Sequence, residues 1–145
     1  MSIRTTLHSH RLLLLLSLLS AFPPLATDMY LPAIPLLTQV WQEPLTMVNL
    51  TLVVFFGGYC LFLLVYGPLS DRYGRRPPLL VGVGIFIAAS LFCATADGVV
   101  ELILFRLLQA AGAAASSTIA LAISKDVYTG HERERILAYI GVIMA

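Results

Sequence analysis

The side chains able to do chemistry are few, and they stand out because their surroundings are apolar. Asp28 lies in LATDMYLPAIP, and Arg106 and Gln109 lie in LILFRLLQAAG. An ionisable or amide group in such a run is costly to bury and usually serves a purpose. A carboxyl group there can bind and release a proton. An arginine and a glutamine three residues apart share one face of a helix and offer a fixed charge, hydrogen-bond donors and an acceptor. Tyr30, two residues past the acid, adds a hydroxyl that could bridge Asp28 to that pair. A second polar concentration, GPLSDRYGRRPPL over residues 67–79, puts an acid, three arginines, two glycines and three prolines between two long apolar runs.

The elements that must position these groups follow from composition. Of 145 residues, 59% are hydrophobic and 12% charged, whereas a soluble domain carries about 25% charged residues. The mean hydropathy of +0.88 is more than a soluble core of this size can hide, so the chain reads as all-α and integral to a membrane. Apolar runs predict helices at about 12–37, 46–66, 79–96 and 99–123, with 136–145 opening a fifth. The first is interrupted by Pro23, Pro24, Pro32 and Pro35, breaks that membrane helices tolerate where they line a cavity or pack on neighbours. A basic head before a leucine-rich run also outlines a signal peptide. The apolar character continues to Leu37, however, and Pro24 and Ala26 make a poor cleavage site.

Charge placement gives the orientation. Arg4 and Arg11 precede the first span, Arg72, Arg75 and Arg76 follow the second, and Lys125, Arg133 and Arg135 follow the fourth. The other two loops have none, so the basic side, with the N-terminus, is expected in the cytoplasm. Asp28 then lies about 24 Å above the inner start of its helix and Arg106 about 10 Å below the outer start of its own, at 1.5 Å per residue. Both fall in the outer half and could face one cavity, paired directly or through Gln109 or Tyr30. The plainer alternatives are an interfacial Asp28 and an Arg106 that snorkels outward. Gly112, Ala113, Ser116 and Ser117 supply small side chains that let helices approach, as do Gly57, Gly58, Gly82 and Gly84. Gly67 and Pro68 are expected to close the second helix, with Asp71 near the N–H groups of the next and the arginines forming a latch.

The pattern met by Gly67, Leu69, Asp71, Arg72, Gly74, Arg75, Arg76 and Leu79 resembles the signature loop between the second and third helices of the major facilitator superfamily. Arg106, Gln109 and Gly112 resemble the fourth-helix R-x-x-Q-x-x-G element of its proton-coupled exporters, with Ala110 where a glycine is usual. TDMYLPAIP is similar to the first helix of the bicyclomycin-resistance (Bcr/CflA) type of drug–proton antiporter. The resemblance implies the N-terminal part of a twelve-helix fold made of two six-helix halves, with substrate near the midplane. It implies multi-pass insertion in a bacterial inner membrane and export of small-molecule drugs driven by a proton gradient, with Asp28 carrying the proton. Arg106 and Gln109 would couple protonation to drug occupancy, and the loop would gate the cytoplasmic ends. At 145 residues the chain is expected to be a fragment lacking C-terminal helices. The implied partners are lipid, drug, protons and those helices.

Alternative readings are a major facilitator carrier of another metabolite or sugar, a non-functional truncated product, and a four-helix multidrug transporter working as a dimer. The signature loop and the half-span after Arg135 weigh against the last. Cys60 and Cys93 sit in apolar runs without metal-ligand spacing. No nucleophile–base constellation or phosphate-cradling loop is evident, so neither an enzyme, a metal or cofactor, nor a nucleic-acid partner is expected.

Overall fold

The computed structural model describes residues 14–127 and, beyond them, Glu134, Ala138, Gly141 and Val142. All the described regular structure is helical. Helix α1 covers Leu14–Ser20 and α2 Phe22–Asp28; a single 3-10 turn, Leu31–Ala33, leads to α3, Ile34–Val40. Three long helices follow: α4, Leu45–Tyr73, α5, Arg76–Ala94, and α6, Val99–Val127. Each of these three is long and apolar enough to cross a membrane, and the bent first segment makes a fourth if it is one span.

The bend has an identifiable cause. Pro23 and Pro24 have no N–H to give the carbonyls one turn earlier, and the axes of Leu14–Ser20 and Phe22–Val40 diverge by 42°. Pro32 and Pro35 repeat the effect further on, around the 3-10 turn. Thr27 Oγ1 donates to the carbonyls of Pro24 and Pro23 at 2.9 and 3.2 Å, a side-chain bond back into the preceding turn of the kind that bends helices.

Three sequence-based boundaries need correction. Gly67–Pro68 does not close the second helix, which runs on to Tyr73 with Pro68 inside it. A proline normally pushes the preceding residue out of helical geometry by striking its Cβ, and glycine at 67 has none. Closure falls at Gly74, whose φ of +84° favours glycine. Helix α5 therefore starts at Arg76, with Pro77 and Pro78 in its first turn, where no N–H is missed. Helix α6 continues past Ile123 to Val127, so Ser124 to Val127 are helix and not loop. The expected opening of a fifth helix at 136–145 lies outside the described residues, apart from the helical Ala138, Gly141 and Val142.

Helix α6 is the centre of the arrangement. It packs along both α4 and α5, which barely touch one another, and every residue from Gln109 to Ser117 is buried. Small residues make that possible. A Cβ at Gly112 would stand 2.5 Å from the Phe86 N and 2.6 Å from the Gly82 O, both backbone of α5. Gly82 faces Ala115 in turn, and Gly58 of α4 faces Leu107 and Ala110. Gly57 and Gly84 have nothing within 4 Å of an added Cβ; they are not close-packing positions. Ala113 and Ser116 are fully buried, and Ser116 Oγ donates back to the Ala113 carbonyl at 2.8 Å.

Candidate functional site

Arg106 is 4% exposed and Gln109 6% exposed, so neither snorkels to the surface. Their i,i+3 spacing on α6 brings Arg106 Nη1 to the Gln109 Oε1 at 3.0 Å. The same Nη1 donates to the Ala26 carbonyl at 3.0 Å. That carbonyl is free for a local reason: Tyr30 N, which would close the turn to Ala26 in a regular helix, bonds the Thr27 carbonyl instead. Arginine on α6 thus caps a carbonyl left over where α2 ends. The Gln109 amide donates to Ser90 Oγ on α5 at 2.9 Å, tying a third element to the cluster.

Aromatic faces complete the guanidinium's surroundings. Its carbon lies 3.8 Å from the Tyr30 ring centroid and 5.8 Å from that of Phe55, an arrangement that partly offsets the lost hydration of a cation. Tyr30 is held in place by a 2.7 Å hydrogen bond between its hydroxyl and Thr51 Oγ1 on α4. Thr51 is itself fully buried and donates to the Val48 carbonyl. Desolvation opposes the charge, and no carboxylate lies within ion-pair distance of Arg106 among the described residues. Its Nε is buried without a partner among the described residues.

Asp28 does not join the cluster. It is exposed and makes no ion pair or hydrogen bond to Arg106, Tyr30 or Gln109. Residues two apart on helical backbone lie about 200° around the axis from one another, so Tyr30 faces inward and Asp28 outward. The direct pairing considered from the sequence is replaced by carbonyl capping and a cation–aromatic contact. Arg106, Gln109 and Tyr30 line a cleft of about 550 Å³ between α2 and α5, with Phe22, Phe86, Ser90 and Cys93 among its walls.

At the other end of the helices, Arg75 is the loop arginine that makes ion pairs among the described residues. Arg75 Nη1 donates to Asp71 Oδ1 at 2.7 Å and to Ser70 Oγ at 2.6 Å, and its Nε reaches Asp126 Oδ2 at 3.0 Å. Arg75 therefore ties the end of α4 to the end of α6. Desolvation pulls this guanidinium's pKa down, but its bonds to Asp126 and Asp71 outweigh that and hold it above the ordinary arginine value. Asp71 does not cap the following helix, which has no side-chain cap; it is one turn from Arg75 and pairs with it instead. Arg72 and Arg76 are exposed, with Arg72 lying 5.5 Å over the neighbouring Tyr73 ring. Gly67, Asp71 and Arg75 also border a cavity of about 410 Å³ shared with Thr118 and Asp126.

Sequence reasoning did not single out Asp126, Ser90 or Thr51. Ser90 and Thr51 were visible as isolated hydroxyls in apolar runs. Asp126 becomes meaningful only through a contact with Arg75, 51 residues away in sequence.

Several apolar helices packed around one central helix, with a buried charge and amide held against a broken helix, define a multi-pass membrane protein. Residues 16–145 match the Major Facilitator Superfamily, and the chain belongs to that family of membrane transporters. Among similar proteins is the uncharacterized MFS-type transporter YdgK of Bacillus subtilis (strain 168), 37% identical over 131 residues, which are 90% of this chain and 33% of the relative. The Chloramphenicol resistance protein of Pseudomonas aeruginosa is 36% identical over 86% of this chain and 30% of its own length. The Multidrug resistance protein MdtL of Klebsiella pneumoniae (strain 342) is 31% identical over 83% of this chain and 31% of its own. The chain spans about a third of the length of these curated relatives.

Proposed function

We propose that these helices serve proton-coupled export of small-molecule drugs, in a transporter of the bicyclomycin-resistance type in the bacterial inner membrane. The observation that carries this reading is the capping of the Ala26 carbonyl by the buried Arg106. It connects the charge–amide pair of α6 to the segment that bears Asp28, so a change at either is felt at the other. The names of similar proteins, a chloramphenicol resistance protein and a multidrug resistance protein, support drugs as the class of cargo. The basic residues following α4 and α6 support a cytoplasmic N-terminus.

In this mechanism Asp28 is the proton carrier, binding a proton from one side and releasing it to the other as two six-helix halves of a twelve-helix fold rock about the substrate. Arg106 does not exchange a proton; it fixes the end of α2, and Gln109 and Ser90 fix Arg106. Drug in the adjoining cleft and proton on Asp28 then bias the same broken segment, which is what coupling requires. The Arg75 bridge between Asp71 and Asp126 holds the inner ends of α4 and α6 together in one state and opens in the other. Its loss shifts the populations of the two states and removes no drug contact.

The test is efflux from proteoliposomes carrying the transporter that contains these helices. Asp28→Asn is expected to abolish flux driven by a pH gradient while leaving insertion intact. Full gradient-driven flux in that variant would remove Asp28 from the role.

A further inference from the structure

The cleft between α2 and α5 carries a statement about which molecules it can accept, and this rests on the transport reading above. Its volume of about 550 Å³ falls within the range of sites for drug-sized ligands. One wall is the stacked pair Phe22 and Phe86, with centroids 4.7 Å apart, which suits a flat apolar or aromatic body. The polar groups that reach it are Arg106, Gln109, Ser90, Tyr30 and Cys93. None is an acid, and Asp28 faces away.

Donor capacity is left over at the guanidinium. Both hydrogen bonds of Arg106 come from Nη1, and its Nε is buried with no partner among the described residues. A buried donor without an acceptor costs free energy that a ligand's acceptor recovers. Two carbonyl oxygens and two aromatic rings face the guanidinium, but among the described residues no carboxylate stands within ion-pair distance, so its unit charge is not neutralised.

We propose that this cleft selects uncharged or anionic molecules bearing a hydrogen-bond acceptor next to an apolar body, and rejects organic cations, with Arg106 as the recognising group. Two unit positive charges about 6 Å apart at protein-surface screening repel enough to weaken binding by about a hundredfold. Screening by water in the cleft reduces this, so discrimination of at least about tenfold is expected. Gln109 and Ser90 do not offset the charge: the Gln109 oxygen already accepts from Arg106, and its amide is spent on Ser90. Specificity against cations is thereby built into the same arginine that caps α2.

Three probes of one skeleton test this: 4-phenylbenzamide, 4-phenylbenzoate and 4-phenylbenzylammonium. Their binding to the full chain in phosphatidylcholine nanodiscs is measured by equilibrium dialysis, with empty discs subtracted. The amide and the benzoate are expected to bind at least about tenfold more tightly than the ammonium. Arg106→Gln should weaken the first two by about tenfold, the loss of one charge-assisted hydrogen bond, and erase the preference. Ala94→Trp, at an exposed rim position of the cleft, should weaken both by obstruction without touching Arg106, and it carries the test if Arg106→Gln does not fold. Equal or tighter binding of the ammonium overturns the inference, as does undetectable binding of the amide and benzoate. So does a preference that survives in a folded Arg106→Gln, or amide binding indifferent to Ala94→Trp. These are equilibrium measurements without a gradient. A failure of proton-coupled flux would leave them standing, and flux without this preference would overturn only the selectivity.

Discussion

Replacing Gly112 by alanine adds a single methyl group at the place where α5 and α6 come closest. That Cβ would meet Phe86 N at 2.5 Å, Gly82 O at 2.6 Å and Phe86 Cα at 2.7 Å. All three are backbone atoms of α5, so no side chain can swing aside, and the helices must part by at least about half an ångström. A radial gap of 0.5–1 Å forfeits a quarter to a half of each contact's dispersion energy, and it acts on the neighbouring Gly82–Ala115 contact as well. The cost is expected near the upper end of the 1–3 kcal/mol typical of overpacking. Gly84→Ala is the control: nothing lies within 4 Å of its Cβ, and helix propensity alone predicts no loss, or a gain of up to about 1 kcal/mol. Reversible unfolding in mixed detergent micelles, followed by helical circular dichroism, reads both variants. Equal stability of Gly112→Ala and Gly84→Ala would refute the close approach of these two helices.

Other outcomes follow from the polar contacts. Tyr30→Phe keeps the ring under Arg106 but removes the hydroxyl bonded to Thr51, and is expected to cost about 1 kcal/mol in the same unfolding assay. Tyr30→Ala also strips the cation–aromatic contact, and a double-mutant cycle with Arg106→Met should give a coupling of about 0.5–2 kcal/mol; zero coupling would contradict the 3.8 Å stacking. Asp126→Asn breaks a bridge between an exposed Asp126 and a partly exposed Arg75, so screening limits its cost to less than about 1 kcal/mol, and the difference from wild type should vanish in 1 M salt. The raised Arg75 pKa fixes the sign of the alkaline response: its stabilisation is complete below the unfolded arginine value and is lost only as pH rises through the folded one. Raising the pH from 7 to 10 should therefore leave the Asp126→Asn difference unchanged.

The existence of the long helices was legible because hydrocarbon runs of about 20 residues admit no other structure in lipid. So was the Arg106–Gln109 pair, since three residues along a helix always returns to the same face. Which face looks inward was not legible. Helices apolar on every side carry little amphipathic signal, so Gly57 and Gly58 read alike although only Gly58 meets a neighbour. The Gly-Pro at 67–68 misled because a proline's effect depends on the residue before it, and glycine removes the clash that ends a helix. Asp28 misled differently. Depth along the membrane placed it level with Arg106, but rotation about the helix decides which side chain faces inward, and Tyr30, two residues on and about 200° round, is the one that meets Arg106. The Arg75–Asp126 bridge joins segments brought together only by the packing of α4 and α5 on α6.

The most direct test of the account is the movement of protons that a drug provokes. In proteoliposomes carrying the protein, with a pH-sensitive dye inside and no imposed gradient, a small-molecule drug that the protein binds should change the internal pH in the wild type when added on one side. Asp28→Asn should give no pH change, and Arg106→Gln a much reduced one. A drug-driven pH change of wild-type size in Asp28→Asn would contradict proton coupling through that carboxyl group.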